Sequence, residues 1–277
     1  MKIGLAYGHV ASNLGDVAIN HGVTRLVREV TDTASLHVVW LNPREDYLPL
    51  ARQVFGSDPT LSFSTLAVSP ASVAEQRCGD HELSALMDYL IRPERFLADT
   101  GLADCDVIAF NSGEHLFAKT NEDRIDLLWR LLPAYAAAWA GIPHVTLPIT
   151  AGPFEEPEAT EVIRIALSMG SALATREPRS SRLLEAISPD GPPAVVLDPA
   201  FFVRPPAVAA PTSGQPARLG VIMRLDKFGL RYGVRGGAAR APVTENRGFE
   251  VGVRAARAFL DEHPGGAVDV FVQSRAD

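Results

Sequence analysis

The residues best suited to chemistry begin at a junction between an apolar segment and a predicted helix. Asn13, Gly15 and Asp16 occupy this junction, although a plain strand-to-helix connection needs only a cap and a glycine. Backbone N–H groups at a helix start, here those of 15–18, bind anions, and an asparagine hydrogen-bonds hydroxyl or phosphate oxygens. Asp16 could serve as a general base. The junction therefore predicts a ligand site, with capping by Asp16 or a tight turn at Gly15 as open alternatives.

Four further polar groups each follow a predicted buried strand. They are Asn111, Ser112, Gly113 and Glu114; Thr150, Gly152 and Pro153; Arg176 and Glu177; and Asp198 and Pro199. Parallel strands place their carboxyl ends at one edge of a sheet, where open α/β proteins bind ligands. The five groups together therefore predict one cleft at that edge.

Within this cleft we assign chemical roles by residue type. Asp16 and Glu114 are the candidate catalytic carboxylates, and Arg176 is a candidate anion-binding residue. Asn13, Gly15, Asn111, Ser112, Gly113 and Asp198 complete the predicted binding set. An ion pair between Arg176 and a surface carboxylate, and a turn at Asp198, are the alternatives.

The elements that must position these residues alternate along the chain. Strands are predicted at 2–7, 36–41, 106–110, 144–149, 171–176 and 194–198, and helices at 16–30, 81–91, 122–141, 157–170 and 178–187. This alternation predicts an α/β fold, a Rossmann-like doubly wound parallel sheet with helices on both faces. Trp129 and Trp139 are expected in the core, and Pro133 is expected to kink its helix.

A change in composition marks the end of the first predicted domain, 1–203. Residues 204–218 are rich in Pro and Ala and predict a linker. Strands at 219–224 and 268–273 and a helix at 248–263 then begin a second domain, 219–277. One such unit buries little surface, so we expect this domain to be incomplete here.

Composition narrows the class of protein. The 277 residues are 47% hydrophobic and 21% charged, with a net charge of −7, which is typical of a globular protein and argues against nucleic acid as a partner. Cys78 and Cys105 form no CxxC pair, and we expect both to be buried thiols in a reducing cytoplasm. No signal-peptide or membrane-span pattern is present. The bias towards Arg, Ala and Pro suggests a bacterial source.

Familiar site motifs are absent from the sequence. No GxGxxG follows the first strand, and neither GxxxxGK[ST] nor GxSxG occurs, which disfavours a standard dinucleotide site, a P-loop and a nucleophile elbow. His9, His21 and His115 lack metal-ligand spacing, so we expect no metal. No cofactor is predicted.

Five segments together resemble the polysaccharide pyruvyl transferase family. They are NLGD at 13–16 with Ala18, DVIAFNSGEHLF at 106–117, AGPF at 151–154, ATREPRSSRLL at 174–184 and VVLDPAFFV at 195–203. The resemblance implies a glycosyltransferase-B-like pair of Rossmann-like domains. It also implies pyruvyl transfer from phosphoenolpyruvate, an anionic donor substrate, to hydroxyls of a cell-envelope or exopolysaccharide saccharide, forming a ketal and releasing phosphate without a metal.

The sequence departs from the family pattern at two places. Asn111-Ser112-Gly113 replaces a Gly-Gly pair, which raises the cost of positive φ there. The family's late Arg-x-His motif, linked to donor binding and proton donation, does not occur in the 277 residues. A nucleotide-sugar glycosyltransferase and a non-catalytic relative of the family are the alternative functions. Arg224 and Arg231 are possible donor-binding residues from the second domain.

Overall fold

The computed structural model describes residues 1–8, 14–31, 34–41, 49, 52, 58–66, 80–119, 124–188, 190–203, 216–223 and 247–272. The chain divides into two compact units, one of residues 1–11 and 16–203 and the other of 12–15 and 204–277. The predicted linker lies mostly outside the described residues, as do Asn13, Cys78, Arg224 and Arg231.

The first unit is built on one mostly continuous parallel sheet. Its strands are β1 (Lys2–Ala6), β2 (Ser35–Trp40), β3 (Leu61–Thr65), β4 (Val107–Phe110), β5 (Glu114–Ala118), β6 (His144–Phe154), β7 (Ala172–Thr175) and β8 (Ala194–Val195). The order is β3-β2-β1-β4-β6-β7-β8, with β5 paired to the second half of β6, and every pair is parallel. Strands β2 and β3 lie on one side of β1, whereas β4 and the strands after it lie on the other side. The space between β1 and β4 is therefore a topological switch point.

Helices cover both faces of this sheet. They are α1 (Leu14–Val30), α2 (Asp80–Ile91), α3 (Pro93–Thr100), α4 (Arg124–Trp139), α5 (Pro157–Ser168) and α6 (Pro178–Glu185). On one face α1 packs Ile19 and Val23 against strand residues that include Leu5 and Trp40. On the other face, residues of α2, α3 and α4 form a separate core with Ile108. The predicted α/β class with a Rossmann-like, doubly wound parallel sheet is confirmed.

The described part of the second unit is one β-α-β motif. It consists of β9 (Arg218–Met223), α7 (Arg247–Glu262) and β10 (Ala267–Val272). The two strands pair in parallel, with Arg218 opposite Ala267 and Met223 opposite Val272. An exposed ion pair joins Arg218 to Asp269, with 2.6 Å between Nη2 and Oδ1.

Two strands of the sheet were not predicted, and two local predictions were wrong. The missed strands are β5 at 114–118 and β3, which lacks the periodicity that would predict it. The strand predicted at 194–198 is confined to Ala194–Val195, and a 3-10 turn capped by Asp198 begins at Pro199. Trp139 is 56% exposed instead of buried, since it ends α4, whereas Trp129 is 2% exposed, as expected. Cys105 is a buried free thiol, as predicted.

Candidate functional site

The predicted polar groups at 111–114, 176–177 and 198–199 lie at the carboxyl edge of the sheet in the first unit. The ends of β1 and β4 are neighbours there, with Ala6 paired to Phe110, so Tyr7 and Asn111 follow adjacent strands at the switch point. This is the position at which open α/β sheets form a ligand crevice.

A neutral, buried hydrogen-bond network, which we call the Asn111 cluster, joins Tyr7, Asn20, Asn111 and Ser112. The Asn111 side-chain amide donates to the Tyr7 carbonyl at 3.0 Å and to Asn20 Oδ1 at 2.9 Å. Its own Oδ1 accepts from the Ser112 backbone N–H at 2.9 Å. Asn111 is fully buried and Asn20 is 3% exposed. The cluster therefore ties β1, α1 and β4 together at the carboxyl edge of the sheet.

The Asn-Ser-Gly sequence fits this turn without the steric cost expected of it. Among the described residues of the turn, Gly113 alone has a positive φ, at 143°, a region that side chains disfavour. The Ser112 hydroxyl donates to the Pro148 carbonyl. Asn111 and Ser112 thus replace glycines by residues whose side chains hold the turn.

A second, charged network, which we call the Arg176 cluster, joins Thr150, Arg176, Glu177 and Asp198. Arg176 Nε donates to Thr150 Oγ1 at 2.6 Å, and its Nη1 donates to Asp198 Oδ2 at 2.7 Å. Thr150 Oγ1 also donates to Glu177 Oε2 at 3.2 Å. The Arg176 side chain is 24% exposed, and its Nη2 makes no hydrogen bond with a described residue. The guanidinium is therefore oriented, with one nitrogen left for a ligand.

The two clusters are connected through backbone contacts. The Thr150 N–H donates to the Gly113 carbonyl at 2.9 Å, which links the turn after β4 to the Arg176 cluster. Helix α1 packs so closely on the segment after Asp198 that a Cβ at Gly22 would lie 1.8 Å from the Pro199 carbonyl oxygen. The predicted residues Asn111, Ser112, Gly113, Arg176 and Asp198 are thus brought to one edge.

For the remaining predicted residues, the structure gives the position in the fold. Gly15 and Asp16 lie in the first turn of α1, and Asp16 is one turn before Asn20 on the same helix face. Glu114 is exposed and is the first residue of β5. The structure supports the alternative readings of two residues as well, because Arg176 is paired with a carboxylate and Asp198 accepts from the Ala200 N–H at 2.8 Å.

The negative charge of two neighbouring carboxylates weakens the attraction of the Arg176 guanidinium for an anion. Asp198 and Glu177 place two carboxylates against one guanidinium, with 3.6 Å between Arg176 Nε and Glu177 Oε2. An anionic ligand therefore needs further positive potential, which the N-terminus of α1 can supply at the same edge.

Sequence reasoning missed several residues that build the site. Asn20 is a polar residue on the mostly apolar inner face of α1, and that was a signal available in the sequence. Gly22 and Ser180 carry no such signal, although Ser180 Oγ accepts from the Ala151 N–H at 2.8 Å and donates to Glu177.

Tyr7 is the most unusual of the missed residues. Its φ of 66° is the only positive φ of a non-glycine residue in the described part of the chain, a strain that is common at functional sites. Its ring stacks on His115 with 4.4 Å between centroids, and its hydroxyl donates to the Trp129 carbonyl at 3.3 Å. Burial raises the pKa of this phenol well above 10.0, so Tyr7 is a neutral wall of the site.

The described residues contain no group of three or more His, Cys, Asp or Glu side chains arranged to hold a metal ion. They also contain no helix of the length and apolarity needed to cross a membrane.

The first unit is thus an α/β fold with polar and charged side chains gathered at the switch point of a parallel sheet. The family model of polysaccharide pyruvyl transferases matches residues 13–245, and the chain belongs to this family. The matched range contains every residue that the sequence predicts for the site. No curated protein matches the chain.

Three solved structures are similar to this chain at low identity, each with a TM-score below 0.5. One described as a UDP-N-acetylglucosamine 2-epimerase from Listeria monocytogenes has 9% identity and a TM-score of 0.48, covering 97% of this chain and 62% of its own. The lipopolysaccharide outer core galactosyltransferase WaaB has 12% identity and a TM-score of 0.46, covering 98% and 68%. The S. aureus MnaA–UDP structure has 11% identity and a TM-score of 0.44, covering 98% and 61%. The chain therefore spans about three fifths of the length of the first and third.

Proposed function

We propose that the protein transfers a pyruvyl group from phosphoenolpyruvate to two hydroxyls of a cell-envelope or exopolysaccharide saccharide. The products are a pyruvyl ketal and inorganic phosphate. Membership of the pyruvyl transferase family over residues 13–245 is the observation that carries this proposal. Cytoplasmic location and a glycosyltransferase-B-like pairing of the two units are part of it.

The proposed reaction needs a general acid that protonates the donor and a base that deprotonates the acceptor hydroxyls. A general acid protonates the methylene carbon of phosphoenolpyruvate, which leaves an oxocarbenium-like carbon for a sugar hydroxyl to attack. Loss of phosphate and attack by a second hydroxyl then complete the ketal, and each hydroxyl gives up its proton to a base. We assign the base to Asp16 or Glu114, since both are carboxylates at the carboxyl edge. The general acid is not assigned to any described residue.

Donor binding falls to groups that meet at the same edge. The backbone N–H groups of 15–18 and Arg176 Nη2 would contact the carboxylate and phosphate of the donor, as helix starts and guanidinium groups do elsewhere. Asn13 would hydrogen-bond an oxygen of the donor or the acceptor. The Asn111 cluster would hold the crevice wall rather than contact the substrate, because its polar atoms are already paired.

The test is phosphate release from phosphoenolpyruvate with a panel of saccharide acceptors. We expect acceptor-dependent release, reduced by about 10²–10⁴-fold in Asp16→Asn or in Glu114→Gln, whichever is the base. Arg176→Ala should raise the donor KM, whereas Arg164→Ala, which removes an exposed arginine paired with Glu161, should change nothing. No release with any acceptor, together with stabilisation by UDP but not by phosphoenolpyruvate, would support a nucleotide-sugar transferase instead.

A further inference from the structure

A second cavity lies in the first unit, away from the proposed site. It has a volume of about 290 Å³ and lies between the sheet and helices α4 and α5, reaching the amino ends of β6 and β7. Leu131 and Leu167 supply apolar wall, and Thr146, Ser188 and Asp190 supply polar wall. Asn111, Arg176 and Asp198 are not among its lining residues, so it is distinct from the crevice at the carboxyl edge.

A buried histidine lines this cavity without a hydrogen bond. His144 is the first residue of β6 and is 3% exposed. Its imidazole packs beside Phe110, with 6.1 Å between ring centroids. Gly170 brings the backbone so close that a Cβ there would lie 3.3 Å from His144 Nε2. No described residue offers its ring nitrogens a hydrogen-bond partner.

His37, the other buried histidine in the described part of the chain, is fully paired. His37 is 7% exposed, and Ser62 Oγ lies 2.8 Å from its Nδ1 while the Thr100 carbonyl lies 2.7 Å from its Nε2. Buried polar atoms in folded proteins are nearly always paired in this way. The contrast indicates that the His144 nitrogens are available to a molecule in the cavity.

The lining favours an uncharged occupant. None of the described lining residues is Lys or Arg, and Asp190 contributes a negative charge. The carboxyl-terminal end of α5, which carries a negative partial charge, also reaches the cavity through Ala166 and Leu167. Burial lowers the pKa of His144, so its imidazole is neutral near pH 7. An anion such as phosphoenolpyruvate would therefore be disfavoured here.

We propose that this cavity is a second binding site, which takes a small uncharged molecule with an apolar body and one hydroxyl or carbonyl group bonded to His144. The imidazole can donate to a carbonyl or accept from a hydroxyl, depending on its tautomer. The volume approaches the lower end of the range for small-molecule pockets. Leu131 and Leu167 contact the apolar body.

Histidine NMR with phenol as the probe tests the proposal directly. Phenol joins one hydroxyl to an apolar ring, and the imidazole carbon–proton signals report each histidine separately. We expect saturable shifts at His144 and none at His37 or at the exposed His263. Absence of a saturable His144 shift up to the solubility limit of phenol would overturn the proposal, as would equal shifts at all three histidines.

Two variants separate the polar anchor from the cavity. His144→Phe keeps an aromatic ring and should weaken phenol binding about tenfold, since it removes the hydrogen bond; binding to this variant is followed at the backbone amides of the lining residues. Ala166→Leu fills the cavity from α5 and should weaken binding as strongly in a protein that keeps His144. Ser168→Leu places the same side chain at an exposed position of α5 outside the lining and should leave binding unchanged. Unchanged affinity in Ala166→Leu would contradict the site even if His144→Phe does not fold.

Discussion

The Asn111 cluster and the Arg176 cluster lie at the same edge of one sheet and differ in nearly every physical property. The first is uncharged and buried, and the Asn111 amide oxygen and nitrogen are both paired. The second carries three ionised side chains, is partly exposed and leaves Arg176 Nη2 available. This difference indicates a division of labour, in which the neutral cluster fixes the backbone and the charged cluster meets the ligand.

Removing the centre of the neutral cluster should have the largest effect on stability. Asn111→Ala removes the buried hydrogen bonds that Asn111 makes with Asn20 Oδ1, the Tyr7 carbonyl and the Ser112 N–H. An unsatisfied buried polar group costs about 1–3 kcal/mol, so we expect a total loss of about 3 kcal/mol. Urea unfolding, with the exposed Ser168→Ala as control, measures it. A loss below about 1 kcal/mol would mean that the cluster does not hold the edge together.

The close contact between α1 and the segment after Asp198 predicts the next largest effect. Gly22→Ala would drive a Cβ into the Pro199 carbonyl, and we expect a loss of about 2 kcal/mol from overpacking. Helix propensity alone would favour alanine by about 1 kcal/mol, so the two explanations differ in sign. Thermal or urea unfolding decides between them, and a stabilised Gly22→Ala protein would show that the contact is loose.

A substitution in the Arg176 cluster should have the opposite effect, with a small loss of stability and a large loss of activity. Asp198→Asn keeps a side-chain acceptor for the Ala200 N–H and removes the charge that orients Arg176. A partly exposed ion pair contributes about 1 kcal/mol or less. Steady-state phosphate release should nevertheless fall by about tenfold or more, since the guanidinium loses its orientation. Equal losses in both measurements would remove the distinction between the clusters.

Glu114 should show the smallest structural effect. Its side chain is exposed at the start of β5, so Glu114→Gln should change the free energy of unfolding by less than about 0.5 kcal/mol. Comparing its activity with that of Asp16→Asn assigns the proposed base. If both variants retain full activity, neither carboxylate accepts the hydroxyl proton.

The fold could be predicted from the sequence because most of its strands and helices have clear hydrophobic patterns. Buried strands such as 106–110 and amphipathic helices such as 16–30 are recognisable from apolar runs and spacing alone. The third strand, β3, was missed because 61–65 sits in a stretch without periodicity, and β5 was missed because its polar first residues are typical of a loop. Trp139 was misplaced since a helix end can point an aromatic residue to solvent.

The sequence could predict only those site residues that directly follow a strand, because open α/β sheets bind ligands at the carboxyl ends of their strands. Asn111, Arg176 and Asp198 were predicted to lie together for this reason. The sequence could not show that Arg176 and Asp198 bind each other, because pairing across 22 residues depends on strand order and register. Gly22 could not be predicted either, because the backbone that leaves no space for a Cβ there is that of Pro199, 177 positions later.

The measurement that tests the central claim most directly is a phosphoenolpyruvate titration followed by backbone amide NMR. The claim is that an anion binds at the carboxyl edge of the sheet in the first unit, against the start of α1. We predict saturable shifts at the amides of 15–18, at Gly113 and at Arg176, with none around His144. Shifts confined to other surfaces, or no saturable shift at all, would contradict it.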